Sequence, residues 1–375
     1  MKIAMIGHKR IPSREGGVEI VVEELSSRLV EKDYYVTAYN RKENHVSGEK
    51  YNGASNNASL EKYKGINIVT VPTIEQKGLA ALTSSFFATI RALFGGYDCI
   101  HYHAEGPCVM LLIPHLFGIR TVATIHGLDW QRSKWGKFAR LYLKLGERIA
   151  AKYADEVIVL SKNVEKYFKD VYNRETVYIP NGINRSNILE CNNINKKWNL
   201  EKDSYILFLG RIVPEKGVKY LIEAFKQINT DKQLVIAGGS SDTDEFMKEI
   251  CNLAKDDNRI LFTGFVEGEV LDELYSNAYI YTLPSDLEGM PISLLEAMSY
   301  GNCCLVSDIA ECMEVVENKA LSFEKGNVES LKNKLQEICD NQYIVQMYKE
   351  EASEFIHSKY NWNDVVDRTI KLYYK

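Results

Sequence analysis

No stretch of this sequence reaches the roughly 18 uncharged apolar residues that a membrane-spanning helix needs. The eight cysteines, at positions 99, 108, 191, 251, 303, 304, 312 and 339, form no CxxC pair and no Cys/His cluster with zinc spacing. Most stand in apolar contexts and read as reduced core residues of a cytoplasmic protein. The opening Met1-Lys2-Ile3-Ala4-Met5-Ile6-Gly7 is a short buried-strand pattern, too brief for the apolar region of a signal peptide and without a cleavage site. Neither sign of charge dominates: 46 Lys and Arg against 51 Asp and Glu leave −5, which implies no general affinity for nucleic acid. There are no internal repeats or low-complexity tracts. The dinucleotide fingerprint GxGxxG is missing, and the second strand candidate ends Tyr39-Asn40-Arg41 rather than in an acid for a ribose. The GxxxxGK[ST] order of a nucleotide hydrolase is missing too. Dehydrogenase and nucleotide-hydrolase chemistry are both disfavoured.

What is present is a globular composition, 45% hydrophobic and 26% charged, in 375 residues, enough for two domains of ordinary size. Short β-rich runs at 3–6, 35–39, 66–71, 99–102, 121–125, 156–160 and 177–179 alternate with amphipathic stretches such as 18–31 and 141–153. After a polar, Asn-rich stretch at 181–197 the alternation resumes, with strand candidates at 206–209, 233–237, 260–262, 279–283 and 303–307. This is the βαβ signature of open, mostly parallel sheets. It predicts two doubly wound α/β domains, 1–182 and 183–359, with a ligand cleft at the carboxyl ends of their strands. Residues 42–57 are polar and read as a mobile surface loop.

Candidate functional residues fall just after the strands. Gly16 and Gly17 precede the first helix and let a bound group approach its backbone N–H groups; the alternative is a pair that merely makes a turn. Gly210-Arg211-Ile212-Val213-Pro214-Glu215-Lys216-Gly217 follows the first strand of the second half. There Arg211 offers a planar fork for phosphate and Lys216 a point charge. His126, in Thr124-Ile125-His126-Gly127, follows another strand, where an imidazole can meet a sugar hydroxyl or a backbone carbonyl. His103 has a similar position and reads equally as a core histidine. Glu288 and Glu296 bracket Glu288-Gly289-Met290-Pro291-Ile292-Ser293-Leu294-Leu295-Glu296. Gly289 permits an unusual turn, Pro291 pre-sets a helix's first position, and Glu296 falls inside that helix. Asp242-Thr243-Asp244 has the order of a metal-chelating motif, but its place in a βα turn reads as helix capping, and nothing else in the sequence requires a metal. Residues 130–152 carry Arg132, Lys134, Lys137, Arg140, Lys144, Arg148 and Lys152 against the single acid Glu147, with Trp130, Trp135, Phe138, Leu141, Tyr142 and Leu145 interleaved. Such a segment suits an anionic bilayer surface, or is a helix with a solvated basic face.

Together, Gly16-Gly17, Thr124 through Gly127, Ile179-Pro180-Asn181-Gly182-Ile183, Gly210-Arg211 through Lys216-Gly217, and Glu288 through Glu296 resemble the retaining glycosyltransferases of family 4 over nearly the whole chain. The resemblance implies the GT-B fold, two Rossmann-like domains facing across a cleft, with a last helix (360–375) that returns to the first domain. It implies a nucleoside-diphosphate sugar as donor, its diphosphate held by Arg211 and Lys216 and approached by Gly16 and Gly17. Glu296 would hold the ribose hydroxyls, and Gly264, Phe265 and Val266 would border the nucleobase. Glu288, with the backbone at Gly289, Met290, Pro291 and Ile292, would contact the donor sugar. His126 would stand beside the anomeric centre, which makes His126 and Glu288 the catalytic candidates. No metal or other cofactor is expected. The acceptor would be a saccharide, lipid-linked and destined for cell-surface polysaccharide, worked on at the cytoplasmic face of the membrane. Two departures leave the donor open among UDP, GDP and dTDP sugars. Asn184 stands where the family often has Asp, and Ile309-Ala310-Glu311-Cys312-Met313 replaces a glycine-rich loop. The first-loop run from Ile11-Pro12 to Gly16-Gly17 is also similar to that of rhamnosyltransferases. A UDP-sugar epimerase of similar architecture and a non-catalytic sugar-nucleotide binder are the competing readings.

Overall fold

All twelve strands predicted above form, because most of these runs are buried within parallel sheets, those at 177–178 and 260–264 being only half-buried at sheet edges. The computed structural model describes residues 1–42, 61–76, 78–239 and 244–374. All but the first residue of the predicted loop 42–57 lies outside these, as do Asp242 and Thr243. By contacts the chain divides into two units, Met1–Gly182 with Trp362–Lys375, and Ile183–Asn361.

The first unit carries β1 (Lys2–Ile6), β2 (Tyr35–Arg41), β3 (Glu61–Tyr63), β4 (Ile66–Val71), β5 (Cys99–His103), β6 (Arg120–Ile125), β7 (Glu156–Val159) and β8 (Val177–Tyr178). Its sheet runs β3-β4-β2-β1-β5-β6-β7-β8, parallel throughout except for the antiparallel β3. That short edge strand has no apolar run to betray it in the sequence. Ala4, Ile6, Ile100, Tyr102, Ala123 and Ile125 form the centre of the core beneath it. The carboxyl-terminal helix Trp362–Tyr374 belongs to this unit: Arg120 donates from Nε to the Leu372 carbonyl at 2.9 Å, and Trp362 lies against Gly182.

The second unit carries β9 (Tyr205–Leu209), β10 (Gln233–Ala237), β11 (Ile260–Gly264), β12 (Ile280–Leu283), β13 (Cys304–Ser307) and β14 (Leu321–Phe323) in the order β11-β10-β9-β12-β13-β14, all parallel. The Asn-rich stretch 181–197 before it, whose polarity reads as a linker, is partly helical. It contains the helix Asn193–Trp198, whose entry is fixed by Glu273, which accepts the Asn192 and Ile194 amides at 3.0 Å each. In both sheets the order reverses beside the central strand, between β1 and β5 and between β9 and β12. Ligands of open parallel sheets bind beyond the carboxyl ends of the strands at such a reversal.

Candidate functional site

At the reversal point of the second unit, the loops after β9 and β12 are locked together by backbone. Gly217 has φ +66°, and a Cβ there would meet the Pro284 carbonyl oxygen at 1.8 Å, so only glycine allows the approach. Asp286 N–H donates to the Glu215 carbonyl at 2.8 Å. This frame brings Lys216 to Glu288: Nζ lies 2.5 Å from Oε1, with the two side chains only 13% and 9% exposed. Ser285 donates from Oγ to the same Oε1 at 2.6 Å. The cation assigned to phosphate and the acid assigned to sugar are therefore one coupled pair. Two charges so far out of water depend on each other, and removing either strands the other.

Arg211 stands half-buried directly after β9. Gly289 is half-buried, and Met290 and Pro291 are buried. Pro291 is the N-cap of the helix Ile292–Ser299 and not its first residue, one place earlier than predicted. The helix's first turn is steadied by Tyr281, whose hydroxyl donates to Ser293 Oγ at 2.8 Å. Glu296 lies inside the helix and accepts from the Tyr275 hydroxyl at 3.1 Å, which fixes its direction. Val266 is half-buried in the loop after β11. Of the residues Ile309 through Met313 read as an atypical loop, only Ile309 lies outside a helix: it is the N-cap of the helix Ala310–Val316, which takes up the other four.

In the first unit, the tips of β1, β5 and β6 carry four histidines. Gly7, with φ +125°, is pressed so close that a Cβ would lie 2.1 Å from the His103 carbonyl oxygen. His8 Nε2 faces Asn40 Oδ1 at 3.0 Å. The Asn40 amide is itself oriented by Ile11, taking its N–H at 3.0 Å and donating to its carbonyl at 2.9 Å. On β5, His101 and His103 are two apart and share one face of the sheet. Their rings stack at 4.2 Å. His101 bonds the Tyr373 hydroxyl at 2.8 Å and Thr124 Oγ1 at 2.7 Å. His103 Nδ1 meets His126 Nε2 at 3.1 Å. Burial disfavours the imidazolium in all four. It brings His8 and His126 down to about 4 and His101 to about 3, and holds His103 well below the ordinary value. The sequence placed only His103 and His126 as candidates; the alternate spacing at 101 and 103 was the signal for His101.

Gly16 is the N-cap of the helix Gly17–Glu31, and Gly17 its first residue. Glu19, buried in that first turn, accepts the Lys9 amide at 2.9 Å. Burial pushes the Glu19 carboxyl up, but the Lys9 N–H and nearby cations outweigh it and hold the group below its ordinary value. The positive end of this helix is thus already answered in part by the protein's own carboxylate.

Beyond His103, Ala104 takes the left-handed conformation, φ 71°, and turns the buried Glu105 inward. Among the described residues no hydrogen bond of good geometry reaches either Glu105 oxygen, although the Glu147 carboxyl and the Trp130 backbone N–H lie near. Burial, with Asp129 and Glu147 near, pushes its carboxyl up to about 11, so it is a neutral acid. Glu147 is the fully partnered carboxyl of the group, accepting from Trp130 Nε1 at 3.1 Å, from Tyr167 at 2.7 Å and from Tyr172.

Residues 130–152 do not make one amphipathic segment. The helix starts at Lys137, Trp130 is turned toward Glu147, and Arg132 pairs with Asp129 at 2.9 Å. The surface narrows to Phe138, Leu141 and Leu145, which are 85%, 69% and 46% exposed, among the exposed cations Lys137, Arg140, Lys144, Arg148 and Lys152. Among the described residues no helix is long and apolar enough to cross a membrane, and no group of three or more His, Cys, Asp or Glu side chains is arranged to hold a metal ion.

Two family models match: Glycosyltransferase Family 4 over residues 15–187 and Glycosyl transferases group 1 over residues 191–360. An uncharacterized glycosyltransferase of Methanocaldococcus jannaschii is 24% identical, over all of this chain and 98% of its own. A UDP-Gal:alpha-D-GlcNAc-diphosphoundecaprenol alpha-1,3-galactosyltransferase of Escherichia coli is 28% identical over 74% of this chain and 75% of its own. Among solved structures, sucrose-phosphate synthase from Thermosynechococcus elongatus superposes with a TM-score of 0.83 at 22% identity, covering 99% of this chain and 98% of its own. HepE of Anabaena, solved with UDP and glucose, superposes with a TM-score of 0.78 at 16% identity, covering 99% and 98%.

Proposed function

The chain is a glycosyltransferase of the GT-B fold, and from that premise we propose that it moves a hexose-type sugar from a nucleoside diphosphate to a hydroxyl of a lipid-linked saccharide, with retention at the anomeric carbon. The observation that carries this reading is the Lys216–Glu288 pair at the carboxyl ends of β9 and β12, with Arg211 at the same strand end. A diphosphate offers Lys216 a stronger anionic partner than one carboxylate. Glu288, kept in place by Ser285, is then available to donor-sugar hydroxyls. Arg211 and Lys216 stabilise the charge that grows on the leaving oxygen, by preorganised electrostatics and without a metal. Glu296, oriented by Tyr275, receives the ribose hydroxyls, and Val266 lies toward the base. In the reacting step the anomeric C–O bond to phosphate breaks and the acceptor oxygen bonds the same face. Its proton passes to the departing phosphate oxygen. No carboxylate nucleophile is needed. His126 hydrogen-bonds the sugar beside the reacting carbon, Gly16 and Gly17 approach the donor, and the neutral histidines take no proton at working pH.

The acceptor reading draws on the diphosphoundecaprenol in the name of the E. coli relative and on that of a Campylobacter jejuni relative, an N,N'-diacetylbacillosaminyl-diphospho-undecaprenol alpha-1,3-N-acetylgalactosaminyltransferase. UDP is the first donor nucleotide to try, being present in the E. coli relative's donor and in the HepE complexes. With a panel of UDP-sugars and undecaprenyl-diphosphate saccharides, NMR of the product linkage is expected to show the donor's anomeric configuration. An inverted anomer rejects the mechanism. A donor epimerised without acceptor, or left intact with every acceptor, rejects the transferase reading of this site.

The face bearing Phe138, Leu141 and Leu145 completes the reading as the contact with an anionic bilayer. Each of its five cations adds about 1 kcal/mol near such a surface, and the attraction is screened by salt. Sedimentation with phosphatidylglycerol-rich vesicles is expected to bind the protein at low salt and release it as salt rises. Phe138→Ser with Leu141→Ser weakens the binding. Equal binding to neutral vesicles overturns the assignment.

A further inference from the structure

The contact between His103 and His126 has a chemical direction. Asn40 Oδ1 can only accept, so His8 carries its proton on Nε2, and its buried Nδ1, which has no partner among the described residues, is a bare lone pair. Between His103 Nδ1 and His126 Nε2 one nitrogen must donate and the other accept. If His126 donated, the proton of the neutral His103 would sit on Nε2, which is buried and has no partner among the described residues. An unpaired buried N–H is the rarer arrangement, because a donor stripped of water loses its whole interaction. The opposite assignment leaves only an unpaired lone pair there. We propose that His103 is a positioning residue. It donates from Nδ1–H to His126 Nε2, and so fixes His126 as the tautomer that carries its proton on Nδ1, the nitrogen His103 does not engage.

The consequence is functional. His126 then offers its ligand an N–H and no lone pair. It can hand a hydrogen bond to a sugar oxygen but cannot remove a proton at that nitrogen. A neutral imidazole that donates is a recognised way to polarise an oxygen without acid–base exchange. His103 itself cannot turn away. It is stacked on His101, which is held from two sides by Tyr373 and Thr124, and its own carbonyl is pressed against Gly7. The carboxyl-terminal helix thereby reaches His126 through Tyr373, His101 and His103, although Tyr373 and His126 are 247 positions apart (373 minus 126).

That His126 matters to turnover rests on the transferase reading above; its tautomer does not, and the test separates the two. The full chain, labelled with 15N-histidine and assigned by difference with His126→Gln, is read at pH 7.5 by long-range proton–nitrogen correlation. The expected result is a protonated Nδ1 and a bare Nε2 on His126. The reverse pattern in the unsubstituted protein overturns the proposal with no question of folding. His103→Phe keeps a ring to stack on His101 but removes the donor. It is expected to give a mixture of His126 tautomers and to lower kcat on the order of tenfold or more, with KM for the donor little changed. His103→Asn, which restores a side-chain N–H near that place, is expected to recover the single tautomer and most of the rate. A tautomer unmoved in His103→Phe removes His103 from this role. A tautomer that shifts while kcat does not supports the positioning and instead overturns the placement of His126 at the reacting centre.

Discussion

Lys216→Ala is expected to lose between two and three orders of magnitude in kcat at saturating donor, and to destabilise the second unit as well. The kinetic loss follows from the leaving group. A fixed cation aimed at the growing phosphate charge contributes about 2.7–4 kcal/mol to the transition state, or 10²–10³ in rate. The stability loss follows from Glu288, whose carboxylate keeps the Ser285 hydroxyl but no cation in the pair, where it is 9% exposed. Breaking a buried pair from one side costs about 3–5 kcal/mol, and the residual exposure here points to the lower figure. The two effects separate in a second protein. Replacing both members, Lys216→Met with Glu288→Gln, removes the stranded charge and is expected to return the urea midpoint close to the original. It leaves kcat as low as in the single variant. If the double replacement restores turnover, Lys216 serves only to hold Glu288, and the diphosphate assignment is wrong. If Lys216→Ala turns over within a factor of about two of the original, both roles fall.

The pairing of Lys216 with Glu288 also shows where reading the sequence stopped. Each residue was legible alone, since a glycine-bounded cation after one strand and an acid before a helix start are local patterns. That they touch was not, because 72 positions separate them and the contact exists only when β9 and β12 become neighbours. The strands themselves were legible because a sheet buried on both faces writes most of them as a continuous apolar run. The exceptions were β3 and β14, three residues each, too short to show any period. Glu147 read as a lone acid in a basic stretch. Its burial beneath Trp130, Tyr167 and Tyr172 depends on helix phase, which puts it opposite Phe138, Leu141 and Leu145. The same phase divided the cation-rich stretch into a turn and a helix, where composition alone had shown one surface. His8 was invisible for another reason: its role comes from Asn40, on a different strand, and no spacing rule links them.

The first unit is expected to lose stability steeply as pH falls from 6.5 toward 5, well above the range where ordinary acid denaturation begins. Burial holds His8, His101, His103 and His126 each below the 6.5 it recovers on unfolding. A base whose folded value is depressed favours the fold fully above its unfolded value. As pH drops below 6.5 the unfolded chain binds protons that the folded chain refuses, so stability falls until the folded values near 4 are reached. Glu105 works the other way. Kept neutral up to about 11 in the fold, it already holds a proton that the unfolded carboxylate lacks until about 4.5, so its contribution grows as pH falls. Four protons taken up by the histidines, less the one Glu105 already holds, leave a net three. At about 1.4 kcal/mol per proton and pH unit, the slope approaches 4 kcal/mol per unit between pH 6 and 5. Against a whole stability of about 5–15 kcal/mol this is a large effect. Thermal melts from pH 8 to 5 are expected to show a falling first transition. His101→Gln removes one of the three net protons and should lower the slope by about a third; Glu105→Gln removes the opposing one and should steepen it by about a third. A transition that holds its temperature down to pH 5 would mean that these imidazoles accept protons within the fold, and that the neutral chain from Tyr373 to His126 does not exist.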